Sequence, residues 1–228
     1  MNVALLAEYG PALLEGFVTT LLLSAIVLAI ATPVGALLAL MRESGQPILA
    51  AAATVYVSVF RLVPALLVLF FTFYAMPQFG IRFSPMGAAV LGLSIIGSAY
   101  LSEDIRGGLS AIDAGQYRAA KALGLGWGHT MRRIILPQAI PIILPPYITR
   151  AIIIVKSTSL ASIVAVADLT GQAVRAASIT YQPFPFLITA GLLYLAISGL
   201  LAVFQAWAEH RVSHERRVAL RTRQAGAT

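Results

Sequence analysis

The run FVTTLLLSAIVLAIATPVGALLALM, Phe17–Met41, carries no charged side chain over 25 residues, and its reading decides the fold. About 20 apolar residues in helical form cross the hydrocarbon core of a bilayer. Lipid offers no partner to backbone N–H and C=O groups, so a lone segment there satisfies them internally as a helix. The stretch therefore predicts a transmembrane helix. Four more follow outward from it: Ile48–Met76, Pro85 to about Ser102, Ala139 to about Ala167, and Phe184–Ala208. Polar and helix-breaking residues, Ser44-Gly45-Gln46-Pro47 and Tyr181-Gln182-Pro183, separate neighbouring spans. The expectation is an all-α membrane protein of about five transmembrane helices, one domain over residues 1–228.

Composition agrees with that reading. Of 228 residues, 59% are hydrophobic and 11% charged, where a soluble domain carries roughly 25% charged residues. Mean hydropathy is +0.85. A net charge of +7 would suggest nucleic acid in a soluble chain, but in a membrane protein the positions of the charges relative to the spans decide their meaning. No Lys or Arg precedes Arg42, while Glu8 and Glu15 stand near the start. The basic n-region of a cleaved signal peptide is missing, so the first apolar segment is expected to stay in the protein. Cysteine is absent, and with it disulfide and thiol chemistry.

Charge fixes the expected orientation. With the N-terminus outside, eleven of the sixteen cations fall on the cytoplasmic side: Arg42, Arg106, Arg118, Lys121, Arg132, Arg133, Arg211, Arg216, Arg217, Arg221 and Arg223. Arg82 and Arg175 fall outside, and Arg61, Arg150 and Lys156 within spans. Positive-inside asymmetry gives N-out, C-in, with a basic cytoplasmic tail over 209–228. That tail is expected to act as a stop-transfer anchor that holds topology, the alternative being that it binds acidic lipid or a partner.

Between the third and fourth spans lies DAGQYRAAKALGLGWGHTMRRIILPQA, Asp113–Ala139. Asp113 is placed to N-cap a helix that runs through Ala119–Leu123 and stops at Gly124. A second short stretch, Thr130–Leu136, is expected to end before Pro137. With Ala119 and Ala120 on its surface the first helix would let another protein's backbone approach closely. The same residues also suit a helix lying on lipid headgroups.

This segment resembles the cytoplasmic EAA motif of ABC importer permeases: Glu-Ala-Ala, three residues, Gly, nine residues, then Ile-x-Leu-Pro. Ala119, Ala120, Gly124, Ile134, Leu136 and Pro137 fall at those spacings. The motif's Glu is Arg118 here, a reversal of charge. VFRLVPALLVLFF (Val59–Phe71), AYLSEDIRGGLSAI (Ala99–Ile112) and VKSTSLASIVAVADLT (Val155–Thr170) are similar to the polar amino-acid uptake permeases of that superfamily. The resemblance implies a type I importer in the bacterial inner membrane, built from two permease subunits, identical or paralogous, and two ATP-binding subunits. An external substrate-binding protein delivers a polar amino acid. It implies a coupling helix over about 113–137, docking on the ATPase through Gly115, Gln116, Arg118, Ala119, Ala120, Gly124, Leu136 and Pro137. ATP and Mg would be bound by the partner, leaving no cofactor in this chain.

Charged residues inside a span usually face a cavity, a partner or the bundle interior. Arg61 stands three residues before Pro64, Lys156 precedes Ser157, Thr158 and Ser159, and Arg150 lies further back along the fourth span. One reading gives a cation to the α-carboxylate of the transported amino acid; the other has each cation snorkel or pair with Glu103, Asp104 or a partner subunit. The resemblance raises Lys156 and its hydroxyl run above the other two.

The chain lacks G-x-x-x-x-G-K-[ST], so nucleotide hydrolysis is expected elsewhere. Its histidines, His129, His210 and His214, fall on the cytoplasmic side without the ligand set of a metal site. Two rivals stay open: a permease for methionine or another small solute, and a secondary transporter, which would show inverted repeats or an intramembrane acidic relay.

Overall fold

A computed structural model describes residues 3–225, with side chains for residue 5 and for 7–210. Among the described residues the chain is predominantly helical, with short connections and no strand. The first helix, α1 (Val3–Glu43), begins well before the expected Phe17 and holds 41 residues. At 1.5 Å per residue it measures about 60 Å, against roughly 30 Å of hydrocarbon core. Its first turns, with exposed Glu8 and Glu15, therefore project beyond the bilayer.

The second expected span is not straight. α2 (Pro47–Leu62) and α3 (Ala65–Phe70) meet at Val63-Pro64, and α3 continues through a π-helical turn (Phe71–Ala75) and a 3-10 turn (Met76–Phe79). The two halves bend by 103°. The proline ring drives the residue before it out of the helical region, and Val63 is extended, with ψ of 133°.

α4 (Pro85–Ser110) is the centre of the bundle. It runs on past Ser102, the expected end of the third span, and so carries Glu103 and Asp104 on the helix itself. Small residues let its neighbours come close: a Cβ added at Gly35 of α1 would lie 2.9 Å from the Leu101 Cβ and 3.0 Å from the Ser98 carbonyl oxygen.

The fourth candidate span extends from Trp127 to Val164. It comprises α6 (Trp127–Thr130), a π-helical turn (Met131–Ile135), α7 (Leu136–Ser157) and a 3-10 stretch (Thr158–Val164). Contrary to expectation, Pro137 does not stop the helix. The π register just before it widens the turn and accommodates a ring that has no N–H to donate. Pro141, Pro145 and Pro146 also lie inside α7, and the Thr149 hydroxyl donates to the Pro145 carbonyl at 3.2 Å. Thr32 of α1 and Tyr147 of α7 share a hydroxyl hydrogen bond of 2.9 Å.

The 3-10 stretch ends at Ala165, whose φ is +63°. A residue with a Cβ pays about 1–2 kcal/mol in the left-handed region. Ala165→Gly is therefore expected to stabilise the protein by about 1 kcal/mol and to raise its thermal midpoint in detergent by about 2 °C; an unchanged or lower midpoint would show that the site is not strained.

α8 (Leu169–Thr180) has 12 residues, about 18 Å of helix, too short to cross. It connects the outer ends of α7 and α9 (Pro183–Ala225). The backbone of the expected basic tail continues α9, while the side chains of its residues beyond His210, His214 and five arginines among them, lie outside the described residues. The core joins Leu23 and Val27 of α1, Leu69 of α3, Leu93 of α4 and Ile154 of α7. Outward, Leu22, Leu192, Leu195 and Val203 are exposed, as lipid-facing side chains are.

Candidate functional site: a cytoplasmic arm and a membrane cavity

On the cytoplasmic side the chain forms an arm. Asp113 caps α5 (Ala114–Ala122) by accepting from the Gly115 N–H. The helix closes through Gly124, at φ +73°, with the Leu125 N–H bonded to the Ala120 carbonyl at 3.0 Å. That six-to-one bond with a left-handed glycine is a Schellman ending, which turns the chain sharply and satisfies the last carbonyls.

The arm leans on the bundle. Tyr117, Ile134 and Leu136 pack against Ala39, Ile105, Leu109, Met131, Ile135 and Ala139. Burial, together with the nearby Glu43 carboxylate, pushes the Tyr117 phenol up from its ordinary value. Ala120 is 1% exposed, which corrects the expectation that it lies on the outer surface: it belongs to the chain's own packing, and Ala119 alone of that pair is exposed. Gln116 is half-buried and accepts a long hydrogen bond from the Gln138 amide at 3.5 Å. Pro137 is exposed, as is Arg118, which enters none of the ion pairs among the described residues. The tip is apolar, with Leu123 77% and Trp127 51% exposed and Leu125 beside them. A polar hollow of about 460 Å³ lined by Gly128, His129, Arg132 and Arg133 opens next to it.

Within the bundle, a cavity of about 340 Å³ lies against Ala65, Leu93, Ile96, Gly97, Tyr100, Arg150, Ile153, Ile154 and Ser157. Ligand cavities typically measure roughly 300–1,000 Å³ and combine apolar walls with a few polar groups, and this one fits that description. On its cytoplasmic side, one turn along α4 from Tyr100, sit Glu103 and Asp104. Glu103 accepts hydrogen bonds from Arg42 and Arg106, with Arg61 at 3.4 Å. Asp104 receives Arg150 through Nε at 2.9 Å and Nη2 at 3.1 Å. The Arg150 guanidinium lies 4.5 Å from the Tyr100 ring centre, and Arg61 lies 5.6 Å from it. These pairs tie α1, α2 and α7 to α4.

The sequence-derived candidates are divided by this geometry. Ser157 lines the cavity. Lys156 is exposed and is not among the lining side chains. Thr158 is buried and donates to the Val155 carbonyl, and Ser159 donates to that of Lys156. Arg61 is 43% exposed and held by Glu103, the pairing that one of the two readings anticipated. Arg150, rather than the Lys156 that the resemblance favours, is the cation that reaches the cavity, and Tyr100, which carries no sequence motif of its own, lies beside it. A further residue passed over is Asp168, 0% exposed. It caps α8 through the N–H groups of Thr170 and Gly171 and accepts from the Tyr194 hydroxyl at 3.2 Å. The signal was present as an Asp just ahead of a helical run, the usual N-cap position; Asp168 has a structural role. Among the described residues no group of His, Asp and Glu could hold a metal ion.

A bundle of apolar helices around a cavity with a charged cytoplasmic end, carrying an ordered arm beneath it, defines a membrane permease. The family described as binding-protein-dependent transport system inner membrane component matches residues 31–214. The chain belongs to that family, whose members are the permease subunits of ABC importers and work with an ATP-binding subunit and a substrate-binding protein.

It is 36% identical over 213 residues, 93% of this chain and 94% of the relative, to a probable amino-acid ABC transporter permease of Bacillus subtilis. It is 37% identical to a nopaline transport system permease of Agrobacterium fabrum, covering 89% of this chain and 88% of the relative. Among solved structures, an amino acid ABC transporter with histidines matches at a TM-score of 0.86 and 32% identity, over 92% of this chain and 99% of that one. A methionine ABC transporter in an inward-facing conformation matches at 0.67 and 19% identity, covering 91% of this chain and 99% of that one, a likeness of fold alone.

Proposed function

We propose that this chain is the membrane-spanning subunit of an importer of polar amino acids in a bacterial inner membrane. It receives its substrate from an external binding protein and docks an ATP-binding subunit on the α5 arm. The observation that carries this reading is the arm: an ordered helix braced by Tyr117 against the bundle, ending at a left-handed Gly124, with its apolar tip of Leu123 and Trp127 left exposed. Apolar groups held rigidly in water mark a surface that a partner covers. ATP, its magnesium and the hydrolytic chemistry belong to that partner, and a second permease, identical or paralogous, completes the path. The amino-acid substrate is supported by the names and coverage of the relatives. The methionine likeness extends only to the fold. The two acids beside the cavity are both ion-paired, which speaks against the acidic relay of a proton-coupled carrier.

Arg118 faces outward at the arm and would meet the docked subunit. Arg118→Glu is expected to leave the ATP-binding subunit copurifying with the permease while changing, by about threefold or more given a salt-bridge-scale interaction, the stimulation of ATP hydrolysis by loaded binding protein. Unchanged stimulation would remove Arg118 from the coupling surface. Uptake by the permease alone, driven by an ion gradient, would overturn the importer reading.

A further inference from the structure

Among the described residues Arg150 is the only cation lining the membrane cavity, and its guanidinium is held in place on two sides. Asp104 takes Nε and one hydrogen of Nη2, which fixes one edge of the fork. The Tyr100 ring, 4.5 Å away, fixes the plane. A guanidinium carries five N–H donors in a rigid planar arrangement, so with one edge spent on Asp104 the Nη1 group and the second Nη2 hydrogen remain to be satisfied. A carboxylate is the acceptor whose spacing matches that edge bidentately.

Charge points the same way. Around the cytoplasmic end of the cavity Arg42, Arg61, Arg106 and Arg150 pair, among the described residues, with Glu103 and Asp104 alone, an excess of two positive charges. An added carboxylate brings the cluster closer to balance and would be drawn toward it. On the α7 wall two turns from Arg150, the Ser157 hydroxyl donates to the Ile153 carbonyl at 2.8 Å, which leaves its oxygen free to accept from an ammonium. The remaining walls, Leu93, Ile96, Ile153 and Ile154, are aliphatic, and among the described residues no carboxylate lines the cavity.

We propose that this cavity is an amino-acid site: Arg150 takes the α-carboxylate on its free edge, Asp104 is a positioning residue that aims the guanidinium, and the aliphatic walls select a side chain without positive charge. The assignment rests on the reading that the chain carries an amino acid. An amino acid with a cationic side chain finds no counter-ion in the lining and brings a second positive charge toward an already positive cluster, whereas glutamine or another neutral residue does not.

The test measures binding of labelled L-glutamine, L-glutaminamide and L-arginine to the purified permease–ATPase complex in lipid nanodiscs without the binding protein, beside ATP-driven uptake of an amino-acid panel in proteoliposomes. L-glutamine is expected to bind about 100-fold more tightly than its carboxamide, the scale set by losing a charge-assisted bidentate contact, and at least about 10-fold more tightly than L-arginine. Arg150→Gln alone leaves Asp104 unpaired, so the decisive variant combines Arg150→Gln with Asp104→Asn. It is expected to melt within a few degrees of wild type and to lose L-glutamine binding by about 100-fold. Asp104→Asn alone is expected to raise KM several-fold with kcat nearly retained. Equal affinity for acid and amide, preference for L-arginine, no binding of any of the three by wild type, or a folded double variant that binds L-glutamine normally would each overturn the site. Normal uptake by the double variant would do so while leaving the transport reading intact. Failure of the wild-type complex to take up any amino acid would instead overturn that reading, and the site with it.

Discussion

A permease carrying both Leu123→Asp and Trp127→Asp is expected to fold, reach the membrane and recover almost no ATP-binding subunit on purification. Both side chains are among the exposed large hydrophobics of the chain, so a carboxylate at either position costs the isolated permease little. In a docked complex each would place an unpaired charge where an apolar anchor was buried. Removing a central anchor typically costs about 2–4 kcal/mol of binding, so the two together are expected to weaken the complex by more than about 100-fold. Ala120→Leu separates docking from folding. Ala120 is buried in the permease itself, and enlarging it is expected to lower the thermal midpoint of the subunit, with any loss of ATPase following from that. Copurification of the double aspartate variant at wild-type yield would mean that the arm's tip is not the docking surface.

Gly35→Leu is expected to abolish the folded bundle. The added Cβ would meet the Leu101 Cβ at 2.9 Å, the Ser98 carbonyl oxygen at 3.0 Å and the Ser102 nitrogen at 3.1 Å. Two of those three are backbone atoms of α4 and cannot swing aside, and the rest of the leucine has still to be placed. Overpacking usually costs about 1–3 kcal/mol when side chains can adjust; here α1 must be pushed off the central helix, and a larger loss is expected. The measurement is the monodisperse fraction recovered from detergent after a heating series. Gly10→Leu is the control, because a Cβ at Gly10 meets nothing within 4 Å. A Gly35→Leu permease that melts like wild type would show that α1 and α4 are not packed as described.

The helices were legible because apolar length is a local property that lipid reads directly: α1, α4 and α9 could be placed by hydropathy alone. Their ends were less so. The helix beyond Ser102 passes through Glu103 and Asp104, which look like a boundary until Arg42, Arg61, Arg106 and Arg150 are seen to neutralise them. Pro64 and Pro137 carry the same local signal and do opposite things. At Pro64 the chain turns by 103°, while at Pro137 a preceding π-helical turn takes up the missing donor, and nothing in the neighbouring residues separates the two cases.

The arm's existence followed from its caps, Asp113 and Gly124, which act within a few residues. Which of Ala119 and Ala120 faces the bundle depends on the phase of a nine-residue helix against distant α1 and α4, and pattern does not give it. Arg150 was underrated for the same reason. Its partner Asp104 lies 46 positions away, and its neighbours in sequence are aliphatic, whereas Lys156 stands beside a conspicuous hydroxyl run, Ser157, Thr158 and Ser159, whose members each donate to a carbonyl of their own helical stretch, Ser157 alone also lining the cavity.

This chain is expected to conduct a polar amino acid only as part of an ATP-driven complex. The most direct measurement reconstitutes it in proteoliposomes with its ATP-binding subunit and binding protein and follows uptake of a labelled amino-acid panel with ATP or with an ion gradient. Uptake of at least one polar amino acid is expected, and it should require ATP, loaded binding protein and the intact α5 arm together. Uptake that persists without ATP under an ion gradient, or ATP-dependent uptake confined to solutes that are not amino acids, would contradict it.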